Sequence, residues 1–235
     1  MLSLNMRARE LLDPLLAAPE AYRVKVTRHE SGATIIDCGI EVPGSYAAGV
    51  LFSRVCMAGL GEVTLAGMEI GDLSLPAVTV TASRPVEALM ASQYAGWAVS
   101  KGKYFAMGSG PARALNAGEE LFKEIAHKEQ SDTAVLCLET GKLPPGEVID
   151  YIAGKTGVAP EKLFLLAAPT ASVAGSVQVS ARVVETAVHK MSMLGFPLDC
   201  VIHGHGVAPV APVAGNDMAA IGRTNDCVLY GGMVA

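Results

Sequence analysis

The segment Ala167–Lys190, AAPTASVAGSVQVSARVVETAVHK, constrains the fold more than any other part of the chain. From residue 167 to residue 187 it is built of small and apolar residues and carries two formal charges, Arg182 and Glu185. A stretch of this composition belongs in the interior. In a helix, a spacing of three puts both charged side chains on one face and within reach of each other. Charges among apolar neighbours cost free energy unless they are paired or used. The plain reading is a structural ion pair, and spacing alone favours it. The functional reading is a carboxylate held beside a guanidinium, activating a water in a site roomy enough for a flat ligand. Thr170, Ser176 and Gln178 lie close by as polar orienters.

At 235 residues the chain is long enough for one large domain or two small ones. It is 51% apolar, 17% charged and 5% aromatic, with 25 glycines, which excludes a disordered or coiled-coil protein. A net charge of −5 and the lack of a basic stripe argue against nucleic-acid binding. The five cysteines, Cys38, Cys56, Cys137, Cys200 and Cys227, form no C-x-x-C pair. Set in apolar segments, they are expected to be reduced, buried residues of a cytoplasmic protein. The amphipathic N-terminus, MLSLNMRARELLDPLL, is too interrupted by charge for a signal peptide, and no run has the length of a membrane span.

Apolar spacing predicts a helix over 2–16, with Ser3 as cap and Pro14 and Pro19 near its end. Residues 22–36 read as two strands around the Glu30–Gly32 turn. A buried helix is expected over 47–60, strands over 63–65 and 76–82, and a helix from Val86 that breaks at Gly96. Strands are expected at 104–107, 133–138 and 163–168, and helices after Pro111 and Pro145. Residues 200–202 read as a strand, 203–215 as a Gly/Pro loop, 217–222 as a helical turn, and 226–230 as a buried last strand whose partner lies further on. Alternating strands and helices predict a mixed α/β sandwich. The polar run HKEQSD suggests two α/β domains, 1–130 and 131–235.

Gly108-Ser109-Gly110-Pro111 is a strand-to-helix joint in which Ser109 would cap the helix and Pro111 would suit its first turn. Exposed amides there, strengthened by Arg113, would attract an anion. That leaves open a phosphate-handling transferase, although neither the P-loop nor the dinucleotide fingerprint is present. His203-Gly204-His205 has no third ligand nearby, so no metal site is expected. Ser172, Ser176 and Ser180 lack a nucleophile elbow and suit capping or hydrogen bonding better.

Several blocks also carry a resemblance: VPGSYAAG (42–49), VCMAGLGEV (55–63), SQYAGW (92–97), YFAMGSGPARAL (104–115), APTASVAGSVQVSARVVET (168–186) and IGRTNDCVLYGG (221–232). In this order, over nearly the whole chain, they are similar to the signature blocks of the methenyltetrahydromethanopterin cyclohydrolase family of methanogenic archaea and methylotrophic bacteria. The resemblance implies two α/β domains with a pterin substrate in the cleft between them, a homotrimer, and no metal or redox cofactor. It implies reversible hydrolysis of the methenyl to the 5-formyl pterin, a C–N bond hydrolysis of one-carbon metabolism in methanogenesis or formaldehyde oxidation. The family's catalytic Arg and Glu fall on Arg182 and Glu185. Gln93, Ser109, Gly110, Thr170, Ser176 and Gln178 are the expected substrate-binding residues. Glu185 would activate water, and Arg182, as a bidentate partner, would hold it ionised. Family members continue past Ala235, so the second domain is expected to be incomplete. The alternative is a pterin-binding protein without turnover, or an inactive truncated form.

Overall fold

The computed structural model describes residues 3–235. Ser3 caps α1 (Leu4–Glu10) by accepting from the Met6 N–H. The helix expected over 2–16 is two helices, because Pro14, lacking an N–H, sits in the first turn of a second one, α2 (Asp13–Ala17). Leu2 lies outside the described residues. The hairpin of β1 (Lys25–Arg28) and β2 (Thr34–Asp37) and the buried helix α3 (Tyr46–Cys56) follow, but Tyr22 lies in a 3-10 turn before β1 and α3 ends four residues before the expected Leu60. The next two strands, β3 (Gly61–Ile70) and β4 (Leu73–Ala82), are longer than expected and pair along their whole length.

Val86–Gln93 is a π-helix rather than an α-helix, with the Tyr94 N–H bonding back five residues to the Leu89 carbonyl at 2.7 Å. Past the expected break at Gly96, Trp97 opens a strand the spacing does not predict, β5 (Trp97–Lys101), the antiparallel partner of β6 (Tyr104–Ser109). The helix expected after Pro111 splits into α4 (Ala112–Asn116) and α5 (Leu121–Glu124), since Ala117 takes φ 44° and ends the first. Then come β7 (Ala134–Glu139), α6 (Gly146–Thr156), β8 (Leu163–Ala168), α7 (Val173–Ser180) and α8 (Val183–Met193).

The C-terminal part departs most from expectation. Leu198–Cys200 is a 3-10 turn, and the expected Gly/Pro loop contains β9 (Gly204–Pro209), paired with β4 from Ala82↔Gly204 to Ala77↔Pro209. Its glycines have a packing reason: a Cβ at Gly204 or Gly206 would lie 2.6 or 2.9 Å from Val184 of α8. Residues read as a turn and a buried strand form one helix, α9 (Asp217–Gly231), capped by Asn216. It buries Ala220 and Thr224, one turn apart, and leaves Leu229 and Tyr230 exposed. The terminal strand is β10 (Met233–Val234), on β9.

Two sheets organise the fold. The first has the order β1-β2-β8-β7-β6-β5, parallel at β2/β8 and β8/β7 and antiparallel elsewhere. Period-two alternation divides its side chains. Ala134, Leu136 and Leu138 pack towards Val148, Ile149 and Ile152 of α6. Val135 and Cys137 face the other way, with Phe52 and Val55 of α3 and Ala8 of α1. The second sheet, β10-β9-β4-β3, is antiparallel, and Val63, Val78, Val80 and Ala208 pack with α7, α8 and the π-helix. Both sheets draw strands from both sides of residue 130, through β2 on β8 and β4 on β9, so a cut there separates neither. Helix α7 and the start of α8 lie between the two sheets' cores, with Ala174 in one and Val177 and Ala181 in the other.

Candidate active site

The polar residues of the site come from strand ends of the first sheet and from the helices packed beside them. Ser109 ends β6 and Glu139 ends β7, while β8 leads through Pro169 and Thr170 into α7. The carboxyl ends of parallel strands are where open α/β sheets receive ligands. Ser172 caps α7, accepting from the Gly175 N–H at 3.0 Å and donating to the Pro169 carbonyl at 2.8 Å. The segment 173–193 is not one helix. It breaks at Ala181–Arg182, where the Arg182 N–H reaches back three residues to Val179. Arg182 thereby becomes the N-cap residue of α8, and Glu185 falls in that helix's first turn. Amide dipoles favour a negative charge there.

Arg182 and Glu185 are 9% and 5% exposed, so the charges are buried as their neighbours demand. The guanidinium is not a bidentate partner of Glu185: one nitrogen, Nη1, approaches the carboxylate at 3.7 Å. Its donors are committed elsewhere. Nε donates to Gln178 Oε1 at 3.1 Å, Nη1 to the Gln93 carbonyl at 2.6 Å, and Nη2 to Ser109 Oγ at 3.1 Å. Arg182 favours the ionised carboxylate as expected, but it does not decide the balance. Burial dominates and pushes the Glu185 carboxyl above 4.5, while Arg182 and then Arg113 pull it part of the way back.

Four of the six expected binding residues converge here. Gln93 donates Nε2 to the Ala181 carbonyl at 3.0 Å and leaves a buried Oε1 without a partner among the described residues. Ser109 does not cap α4, whose N-cap is Pro111; its hydroxyl receives Arg182 and lies 3.3 Å from Cys56 Sγ. Gln178 links Arg182 to Glu139, donating Nε2 to Glu139 Oε2 at 3.3 Å, and Thr170 donates its hydroxyl to Glu139 Oε1. Gly110 contributes backbone, its N–H bonding the Ser92 carbonyl at 2.7 Å. Ser176 is brought elsewhere. Two residues from Gln178, it is about 200° round the helix, and it lines an apolar cavity of about 190 Å³ with Tyr46, Val210 and Pro212.

Glu139 is the residue that sequence reasoning missed. Its signal was a lone carboxylate at the end of the apolar run AVLCLE, where a buried strand reaches its carboxyl end. The anion-site reading of Gly108–Arg113 fails, because Arg113 is completely buried and its guanidinium is occupied by Glu119 and two carbonyls. Of the five cysteines, Cys38, Cys56 and Cys137 are buried as expected. Cys200, on the 3-10 turn, is exposed, and Cys227 of α9 is half-buried. Of the histidine pair, His203 lies in the loop as expected, while His205 stands on β9, its Nδ1 3.0 Å from Thr81 Oγ1. Among the described residues no helix is long and apolar enough to cross a membrane.

A mixed α/β fold with a buried carboxylate–guanidinium pair is the kind of arrangement that enzymes use for acid–base chemistry. The family model described as Cyclohydrolase (MCH) matches residues 3–235, and the chain belongs to that family. It is 46% identical over 233 residues to the methenyltetrahydromethanopterin cyclohydrolase of Methanosarcina mazei, covering 99% of this chain and 73% of that protein. Its identity to the proteins of the same name from Methanocaldococcus jannaschii and Methanococcoides burtonii is 47% over 237 residues and 45% over 233, again 73% of each relative.

Proposed function

We propose that the chain hydrolyses 5,10-methenyltetrahydromethanopterin, or a close pterin analogue, to the 5-formyl form, with Glu185 as general base. The observation that carries this reading is the buried Glu185 carboxyl, raised by its surroundings and set beside an arginine whose other donors are fixed. The substrate's reacting carbon bridges two nitrogens in a cationic amidinium. Water adds to that carbon while Glu185 accepts its proton, giving a neutral tetrahedral adduct. The bond to one nitrogen then breaks as Glu185 returns its proton to that nitrogen, and the adduct's hydroxyl proton leaves to solvent, so a neutral formyl group stays on N5 and one proton is released per turnover.

Each part of the site suits one step. A carboxyl above its ordinary value is a stronger base, and general-base catalysis contributes about 10² to 10⁴ in rate. The bound cation in turn favours the ionised carboxylate. Glu139 adds a second negative group on the same network, and Gln178 ties it to Arg182. The free Gln93 Oε1 is an acceptor for an N–H or O–H of the bound reactants. Methenyl and formyl carbons have the same oxidation level, so the reaction itself calls for no redox cofactor, and we assign it no metal. We further propose a cytoplasmic homotrimer working in one-carbon metabolism.

Loss of the methenyl-pterin absorbance on adding purified protein tests the reaction. Turnover abolished in Glu185→Gln supports the assignment. Binding of the pterin with no absorbance loss would leave a pterin-binding protein without catalysis.

A further inference from the structure

We propose that Arg113 is a positioning residue of this reaction, fixing the end of the π-helix so that the Gln93 carbonyl meets Arg182. The inference rests on the hydrolase reading above and concerns a residue that the mechanism leaves unused.

A helix end leaves its last carbonyls without intrahelical partners, and it carries partial negative charge. In a π-helix the set is larger, since bonds run five residues back. Here the Leu89 carbonyl is taken by the Tyr94 N–H. Arg113 Nη1 donates to the Met90 carbonyl at 3.1 Å and to the Ser92 carbonyl at 3.0 Å, which also accepts from the Gly110 N–H. Arg182 Nη1 takes Gln93 at 2.6 Å. One short helix end is thus capped by two guanidiniums, one fully buried and one in the active site.

The rest of Arg113 is anchored. Nε and Nη2 bind the two oxygens of Glu119 at 2.9 and 2.5 Å, and the guanidinium carbon lies 5.1 Å from the Tyr94 ring centre and 5.4 Å from that of Phe122. A buried arginine costs free energy unless its donors are satisfied, and this one has carboxylate, carbonyl and aromatic partners. Tyr94 carries the connection onward, stacking on His189 at 4.4 Å between ring centres. His189 stands one turn beyond Glu185 on α8. Arg113 therefore fixes the π-helix beside both members of the catalytic pair.

Arg113→Met removes the clamp and is expected to lower kcat about a hundredfold, the loss typical of small misplacements at a reacting centre, with KM for the methenyl pterin unchanged. Arg113→Lys keeps a donor without the fork and should recover part of that loss. Glu119→Gln loosens the anchor while leaving the arginine; it carries the test if Arg113→Met does not fold, with an expected fall in kcat of about tenfold. Combined with Arg182→Lys, Arg113→Met should cost much less than the product of the two single losses, because both act on one helix end. Variants with lowered melting temperatures but wild-type kcat per folded enzyme, or losses that multiply in the double variant, would overturn the proposal. A wild-type protein without turnover would instead overturn the hydrolase reading, and this inference with it.

Discussion

Arg182 lies closer to the main-chain oxygen of Gln93, at 2.6 Å, than to the carboxylate of Glu185, at 3.7 Å. The arginine is therefore aimed by the π-helix, by Gln178 and by Ser109, and it faces Glu185 from that fixed position. A guanidinium so committed is a stationary charge, and the carboxylate keeps lone pairs free for a proton from water.

Glu185→Gln should abolish most turnover while stabilising the fold at neutral pH. Its folded-state value is raised by burial, so the carboxyl favours folding below its unfolded value, and that contribution is lost as pH rises through the folded value. At neutral pH the ionised group is a net cost that the amide does not carry. A gain of about 1 kcal/mol would raise Tm by about 2–4 °C at this size. Thermal unfolding at pH 7.5 beside the absorbance assay checks both halves; a less stable variant would contradict the burial argument.

Arg182→Gln should move the acidic limb of the pH–rate profile to higher pH, because removing the cation leaves burial less opposed. Arg182→Lys keeps the charge but cannot make all three contacts, so kcat should fall with a smaller movement of the limb. Limbs in the wild-type position for both variants would show that another group controls the profile.

Glu139→Gln retains the hydrogen-bonding shape towards Thr170 but removes the charge and offers Gln178 a different partner. Weaker binding of the cationic pterin is expected, with KM raised by about tenfold, the worth of 1.4 kcal/mol, and a smaller change in kcat. Steady-state kinetics decide this. An unaltered KM would remove Glu139 from the substrate's surroundings.

Acid should loosen the N-terminus through Glu129. Burial raises this carboxyl, but bonds from His127, Ser3 and Asn5 outweigh it and hold the group down to about 2. Its stabilisation is therefore complete above 4.5 and is lost as pH falls towards 2. Glu129→Gln should lower Tm at pH 7 and flatten its decline between pH 5 and pH 2. A parallel decline in both proteins would argue that other groups control acid unfolding.

Gly49→Val should destabilise the fold more than most surface changes, since even a Cβ there would lie 2.6 Å from Val177 Cβ and 3.1 Å from the α7 backbone. Helix α7 would shift away from α3, carrying Gln178 with it. Denaturant unfolding should show a loss of about 1–3 kcal/mol, and full stability would mean that the two helices separate freely.

Most buried elements were legible because their signals are local. The continuous apolar runs AVLCLE and LFLLAA predict the buried strands β7 and β8, and Ser172, suited to capping, does cap α7. The C-terminal part was not legible for a physical reason. The pattern HGHGVAP has a loop's composition, yet its glycines clear space for Val184 on a strand that exists only through pairing with β4. In α9, the run CVLY looks like a strand, but the Asn216 cap and the buried pair Ala220 and Thr224 make it helical.

The sequence by itself determined that Arg182 and Glu185 had to be buried together, because so small and apolar a segment has no other place for two charges. It also determined the α/β alternation and the family to which these blocks belong. Only the tertiary structure decided who holds Arg182, since Gln93 and Ser109 lie 89 and 73 residues away. It also brought in Glu139, sent Ser176 to the opposite face of α7, and let burial outweigh the neighbouring arginines at Glu185. These outcomes depend on strand order and helix packing, which set distances and local dielectric that no spacing along the chain encodes.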